Sequence, residues 1–243
     1  MVETDNDLHS DLMKNPLVIA IDGPAGAGKS TVAQMLAKRL GLPYVDSGAT
    51  YRAAALKVLN DGIAPEDKPS IISAIATAEI RLQPSNSSFR VLLNGVDVTE
   101  QIRSPEVTLT AATISRLPEV REKLISLQRT FARFPGVVME GRDIGTVVFP
   151  EAPLKIFLTA QPEERARRRL KDERKKGREA TLERTAYEIG RRDQLDAERK
   201  ISPLVAAPDA FQIDSTDLTA QEVVERIIAL ARERELLTES DQQ

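Results

Sequence analysis

The sequence predicts an α/β fold, a parallel sheet with helices on both faces, and three observations lead to it. Short apolar runs at Leu17–Asp22 ("LVIAID"), Val137–Met139 ("VVM") and Leu154–Ala160 ("LKIFLTA") have the length and content of buried strands. Segments with helical spacing alternate with these runs, and such alternation favours parallel pairing. The first run also passes straight into a glycine-rich turn and then a helix, the order of an α/β unit. At 243 residues the chain can build one sizeable core, or one core with a smaller satellite.

The elements follow in chain order. From Lys29, the residues Val32, Leu36 and Leu40 make one helical face, closed by Gly41. "PYVDSG" predicts a second short strand, and "ATYRAAALKVL" a helix behind it. Beyond the breakers "NDG" and "APEDKP", Ile71–Ala78 returns to helix. Glu79–Thr99 alternates in short runs broken by "PSNSS" and by Asn94–Gly95, which predicts a small antiparallel hairpin insert. "PEVREKLISLQRTFARF" predicts an amphipathic helix with Pro118 at its start, leading into the Val137–Met139 strand. After Leu154–Ala160, one long charged helical region runs to about Lys200, followed by a strand "AFQIDS" and a final helix over Thr219–Glu235. The hairpin and the charged region interrupt the alternation, and interruptions of an α/β core are where ligands are usually covered.

Composition narrows the chemistry. With no cysteine, there are no disulfides, thiolate nucleophiles or cysteine-bound metals. The single histidine, His9, lies in a polar leader, residues 1–15, expected to be disordered and unlike a signal peptide. The tail 237–243 is expected to be disordered as well. Serine–histidine triads and histidine metal sites are therefore unavailable to the folded part. No apolar run approaches the roughly 20 residues that span a membrane, so a cytoplasmic protein without a membrane partner is expected. A net charge of −3 argues against a surface that tracks nucleic acid. Residues 163–200 nevertheless hold 14 of the 34 Lys and Arg against 10 acidic residues, a local +4.

"GPAGAGKS", Gly23–Ser30, fits G-x-x-x-x-G-K-[ST] in the right strand-to-helix context. In that motif backbone amides of Gly23, Pro24, Ala25, Gly26, Ala27, Gly28, Lys29, Ser30 and Thr31, proline excepted, offer the convergent donors for a nucleoside triphosphate such as ATP. Lys29 is positioned for the β- and γ-phosphates, and the Ser30 hydroxyl for Mg²⁺. Neither the N-K-x-D nor the D-x-x-G of a GTPase is present, which favours a small kinase. Glu140, after an apolar strand, is a candidate acid; Asp22 can reach a metal-bound water or cap the turn.

A kinase with a phosphorylated acceptor must hold two anions, so it needs arginines beyond the loop lysine. Arg52 in "DSGATYR" and Arg142 in "EGRDIGT" both follow strands at the end where open α/β sheets bind ligands. Arg121, Arg192 and Arg199 are further candidates. In "EERARRRLKDERKKGR" the pairs Glu163–Arg167, Glu164–Arg168 and Asp172–Lys176 are spaced for i,i+4 contacts, which leaves Arg165 and Arg169 on one face as candidates for a mobile lid.

"IDGPAGAGKST", "YVDSGATYR", "GRDIGTVVFPEAPLKIFLTA", "ERARRR", "RRDQLDAERKISPL" and "IDSTDLTAQEVVE" together resemble the bacterial cytidylate kinases, a family of P-loop nucleoside monophosphate kinases, from about Leu17 to Glu235. The resemblance implies a P-loop NTPase three-layer core with a parallel sheet (about 16–46, 136–162 and 201–236), an inserted acceptor-binding domain carrying the small antiparallel hairpin (about 47–135), and a short helical lid (about 163–200). It implies transfer of the γ-phosphoryl group of Mg–ATP to CMP or dCMP by a monomer. Ser47, Arg52 and Arg142 then belong to the acceptor site, the two arginines chiefly at its phosphate. Arg121 and Asp143 read the cytosine edge, Arg192 and Asp196 hold the sugar, Arg199 serves the phosphate region, and Arg165 and Arg169 are lid arginines. Where the family has a base-contacting serine, this chain has Ala112 beside Thr113. Either Thr113 supplies the hydroxyl or recognition rests more on Asp143 and Arg121. Two other readings are another small P-loop kinase, for UMP, AMP or a non-nucleotide acceptor, and a non-catalytic ATP- or nucleic-acid-binding module. The second lacks the aromatic platforms that stack single strands, since aromatics are only 4% of the chain.

Overall fold

The computed structural model describes residues 16–85, 88–133, 135–175, 177, 179–199 and 201–237. The expected disorder of the leader and of the tail falls, but for Leu237, outside these residues, and so does His9. The described chain forms two compact units, one made of the residues up to Tyr44 and from Ala132 onward, the other of Val45–Phe131.

The first unit is organised by a five-stranded sheet. Its strands are β1 (Leu17–Asp22), β6 (Gly136–Glu140), β7 (Leu154–Thr159) and β8 (Phe211–Asp214), with β2 (Tyr44–Asp46), which begins at the last residue of this unit before the chain enters the second, in the order β2-β6-β1-β7-β8. β1 is central and pairs in parallel with β6, Ile19 opposite Val138, and with β7, Ile19 opposite Leu154. β8 extends the sheet in parallel from β7. Strands buried on both faces read as near-continuous apolar runs, which is why "LVIAID" and "LKIFLT" carry no alternation; the exception in β7 is Lys155, buried and paired with Asp209 at 2.8 Å. Helix α1 (Lys29–Leu40) packs Val32 and Leu36 into a core with Ile19, Ile156 and Ile227, and ends at Gly41 in the left-handed region. The C-terminal helix α8 (Ala220–Glu233) begins with a capping box between Thr219 and Glu222.

The charged helical region is built of two helices. α6 (Pro162–Lys175) ends, and α7 (Leu182–Ala197) starts afresh at Thr181, whose side chain accepts the Arg184 N–H at 3.3 Å. The "T-L-E-R" N-cap signal was legible in the sequence, but the unbroken run of charge hid it. The expected pairings shift too. Arg168 does pair with Glu164 at 3.0 Å, but Arg167 meets Glu164 rather than Glu163. Arg169 is not left over: Glu173 holds it at 2.8 Å. Lys176 lies outside the described residues.

The second unit contains α2 (Ser47–Asn60), α3 (Lys68–Thr77), the antiparallel sheet β3 (Ile80–Ser85), β4 (Ser88–Leu93) and β5 (Val96–Asp97), then α4 (Pro105–Ile114) and α5 (Pro118–Arg129). Asn94 and Gly95 both take positive φ, 49° and 82°, as the predicted tight hairpin requires. The helix α4 was not anticipated. Its start carries a plain signal, since Ser104 accepts the Val107 N–H at 3.2 Å and Pro105 occupies the first turn. Among the described residues, no helix is long and apolar enough to cross a membrane.

Candidate active site

Parallel strands end together, so the segments leaving β1, β6 and β7 emerge at one edge of the first unit's sheet. The turn after β1 is the predicted phosphate loop. Gly23, Gly26 and Gly28 all have positive φ, and Gly28 leads into α1. At Gly23 a side chain has no room, because an added Cβ would lie 1.9 Å from the Leu158 carbonyl oxygen of β7. Lys29 is buried, and its Nζ donates to the Pro24 carbonyl across the loop at 2.7 Å. Burial pushes its ammonium down to about 7; the Arg142 and Arg192 guanidiniums act in the same direction, against the carboxylates of Glu140 and Asp22. Ser30 and Thr31 stay exposed at the start of α1.

The "EGRDIGT" segment leaves β6. Glu140 is buried and accepts the Tyr44 hydroxyl at 2.6 Å. Past Asp143 the chain makes a wide turn, Ile144–Val148, in which the N–H groups of Val147 and Val148 both bond the Asp143 carbonyl. Asp22, at the end of β1, accepts the N–H of Ile144 at 2.8 Å and of Gly145 at 2.7 Å. Of the two roles open to Asp22, its geometry matches the turn-capping one, though the turn it caps belongs to this segment rather than to the phosphate loop.

Arg142 projects from the same segment, and its Nε donates to Asp196 Oδ2 at 2.8 Å. Arg199 pairs with the other Asp196 oxygen. Burial opposes ionisation of Asp196, but the guanidiniums of Arg142, Arg199 and Arg192 outweigh it and hold the carboxyl below its usual range. Lys29, Arg142, Arg192 and Arg199 are thus one electrostatic group of cations, set among the buried carboxylates of Asp22, Glu140 and Asp196.

Arg165, in the first turn of α6, is mostly buried. It pairs with Asp193 of α7, and its Nη1 also donates to the Ala25 carbonyl of the phosphate loop at 3.0 Å. Arg168 lies beside it, donating to the Ser215 hydroxyl at 2.9 Å and the Ser215 carbonyl at 2.6 Å, while the Ser215 hydroxyl donates to Ala27 at 3.1 Å. Composition and spacing marked Arg168 only as an i,i+4 partner, and gave no sign of Asp193 or Ser215, because their contacts span 28 to 188 residues.

Within the second unit, Arg52 of α2 donates at 2.6 Å to Asp46, the N-cap of its own helix six residues back. Gly48 is small for the same reason, as an added Cβ would sit 2.9 Å from Arg52 Nη1 and 3.0 Å from Asp46 Oδ1. Ser47 is buried, and its carbonyl receives the Thr50 hydroxyl at 2.7 Å; Gln128 then donates to Thr50 at 2.8 Å. Arg121 is buried with its guanidinium 5.7 Å from the Tyr51 ring centroid, and it donates to the Ser115 carbonyl at 3.4 Å. Thr113 is exposed, its hydroxyl bonded to its own helix at Leu109.

Comparison with known proteins identifies the family. The family model described as cytidylate kinase matches residues 19–233. The chain belongs to the cytidylate kinase family. A cytidylate kinase of Geobacillus sp. (strain WCH70) is 48% identical over 222 residues, which cover 91% of this chain and 99% of that one. A cytidylate kinase of Caldanaerobacter subterraneus subsp. tengcongensis is 51% identical over 214 residues, 88% of this chain and 94% of its own. A third, of Desulfitobacterium hafniense (strain Y51), is 50% identical over 222 residues, 91% and 95% respectively.

Proposed function

We infer that this protein is a cytidylate kinase, transferring the γ-phosphoryl group of Mg–ATP to a phosphate oxygen of CMP or dCMP, with CDP or dCDP and ADP as products. The observation that carries the reading, beside family membership, is the chain of cations next to the phosphate loop, in which Arg142 and Arg192 act on the loop's Lys29 and Arg142 and Arg199 share Asp196. It suits a second anion beside the triphosphate. A phosphate acceptor is already ionised at neutral pH, so its oxygen attacks without a general base. Catalysis then reduces to alignment and to charge neutralisation.

The roles proposed for the side chains follow from this. Lys29 and the loop N–H groups between Gly23 and Thr31, other than that of Ala25, which Asp193 accepts, and with Pro24 having none, hold the ATP phosphates. Arg165 and Arg169 neutralise charge on the transferring group; Arg169 does so only on releasing Glu173. Ser47, Arg52 and Arg142 serve the acceptor phosphate, Arg121 and Asp143 the cytosine edge, Arg192 and Asp196 the sugar, and Arg199 the phosphate region. Thr113 is already bonded within its helix, which favours Asp143 and Arg121 over it as readers of the base. Asp is suited to accept from the exocyclic amine of cytosine.

The residues also fit Mg²⁺ brought in with ATP. Among the described residues, no group of three or more carboxylates or imidazoles could cage a metal. Mg²⁺ bound through substrate phosphates, water and one hydroxyl needs no such cage, and exposed Ser30 in the first turn of α1 supplies that hydroxyl.

The test is ADP release from Mg–ATP with CMP, dCMP, UMP, AMP and shikimate as acceptors. Turnover with CMP or dCMP should exceed all the others by at least about tenfold, the worth of one good base contact. Equal or faster turnover with another acceptor would refute the assignment.

A further inference from the structure

Asp193 forms contacts that nucleotide binding alone does not call for. One carboxylate oxygen accepts the Ala25 N–H of the phosphate loop at 3.0 Å, and the other accepts from Arg165. Arg165 Nη1 returns to the Ala25 carbonyl at 3.0 Å, and its Nε donates to the Ala160 carbonyl at 3.0 Å. The Ala25 peptide is therefore gripped at both its N–H and its C=O by one ion pair. The backbone beneath is equally close: a Cβ on Gly26 would meet the Arg165 carbonyl oxygen at 2.8 Å. Arg165 Nη2 forms no hydrogen bond among the described residues.

A carboxylate beside a loop amide opposes triphosphate binding on electrostatic grounds, since it adds negative charge where phosphates must come. Its presence calls for another reason. An ionised Asp can accept from the amide and from the guanidinium at once, one oxygen to each. Asn cannot, because its NH₂ faces one of the two donors. We propose that Asp193 is a positioning residue for phosphoryl transfer. It seats the Arg165 guanidinium on the phosphate loop, so that Nη2 is presented to the transferring group in a fixed orientation. The role rests on the reading of Arg165 as a catalytic cation, and the experiment separates the two.

Steady-state kinetics of D193N, D193E, R165A and the D193N/R165A double variant decide it. D193N should lose 10- to 100-fold in kcat, less than the loss of a transition-state donor itself, with the KM of ATP and of CMP within about threefold. D193E keeps the charge and should recover part of the loss, which also carries the test if D193N folds poorly. The double variant should be no slower than R165A, since a misplaced arginine and a missing one fail alike. Wild-type kcat in D193N, a loss confined to KM, D193E no better than D193N, or independent losses that multiply in the double variant would each overturn the positioning role. Wild-type kcat in R165A would overturn the reading of Arg165 itself, and the role of Asp193 with it.

Discussion

Asp22 accepts the backbone N–H of Gly145 at 2.7 Å, and that bond, with its neighbour to Ile144, joins the root of the phosphate loop to the segment carrying Arg142 and Asp143. The side chain belongs to the strand that leads into the loop proposed to hold ATP, and the amides belong to the turn proposed to serve CMP. D22N leaves one N–H facing an amide NH₂. The loss of one charge-assisted bond, about 1.5 to 2 kcal/mol, should raise the KM of CMP by about tenfold or somewhat more. Initial rates across a CMP titration at saturating ATP check this; an unchanged KM would show the turn to be held by other contacts.

The same group gives a pH prediction with a definite sign. Burial pushes the Asp22 carboxyl up from 3.8 to about 6, helped by the charge of Asp143 and opposed by the Gly145 and Ile144 amides and by Lys29. The folded state then binds the proton more tightly than the unfolded state. The contribution of this group to stability is greatest below about pH 4 and is lost as pH rises to about 6. The total change is of the order of 3 kcal/mol at 1.36 kcal/mol per unit. Urea unfolding of the wild type and D22N at pH 4.5 and 7 isolates it: the stability of the wild type relative to D22N should be higher at pH 4.5. Relative stability equal at both values would contradict the assignment.

The fold was legible where local pattern and tertiary role coincide. Buried parallel strands must be apolar throughout, the phosphate loop must have glycine where φ is positive, and Asn94–Gly95 must close a hairpin, so each announced itself. The helix α4 and the break between α6 and α7 were missed because longer patterns masked their caps at Ser104 and Thr181. Site partners were the least legible part. Arg142 and Arg52 could be chosen by position, Arg165 by spacing and Asp196 by the resemblance alone, but Asp193 and Asp46, which hold Arg165 and Arg52, look in sequence like any surface acid. Only the fold brings Asp196 across 54 residues to Arg142.

Gly23 and Gly62 offer a contrast in what a methyl group does. Both have positive φ, but a Cβ at Gly23 would lie 1.9 Å from the Leu158 carbonyl oxygen, whereas nothing lies within 4 Å of one at Gly62. G62A should cost about 1 to 2 kcal/mol of backbone strain and leave turnover intact. G23A must displace the loop from β7, and turnover should fall more than about 100-fold, the cost of roughly an ångström of misplacement. Thermal melts and kcat on the two variants test the pair; near-normal turnover in G23A would mean the loop is not held by that approach.

The carboxylate of Asp196 neutralises two guanidiniums in a buried setting, with its side chain only 3% exposed. D196A leaves Arg142 and Arg199 without it, and breaking a buried pair by removing one partner costs about 3 to 5 kcal/mol. Because the folded carboxyl is held below its usual range, its contribution is present above about pH 4 and is lost as pH falls through the lower folded value. The destabilisation of D196A relative to the wild type, measured by urea unfolding, should therefore be full at pH 7 and smaller in acid. A variant as stable as the wild type at pH 7 would mean that solvent replaces the carboxylate.

In the second unit, Lys123 separates stability from catalysis. Its ammonium, on α5, donates to the carbonyls of Ile75 at 2.6 Å and Ala78 at 3.0 Å, and also to that of Ala76. These carbonyls lie at the end of α3, where helical N–H donors run out, and that of Ile75 also accepts the Ala78 N–H at 3.2 Å. The cation thus caps a helix 45 to 48 residues away in sequence, and a positive charge there also meets the negative end of the helix dipole. K123M preserves the length and apolar stem of the side chain but removes every donor. The charged hydrogen bonds it abolishes are worth about 1.5 to 3 kcal/mol in sum, as the exposed carbonyls recover water. The urea midpoint should fall by that amount with an unchanged slope, and amide exchange should quicken at the end of α3. Because no proposed substrate contact involves Lys123, kcat and the KM of CMP should stay within about twofold at a temperature where K123M remains folded. A large loss of kcat without loss of stability would place this helix cap in the catalytic machinery instead.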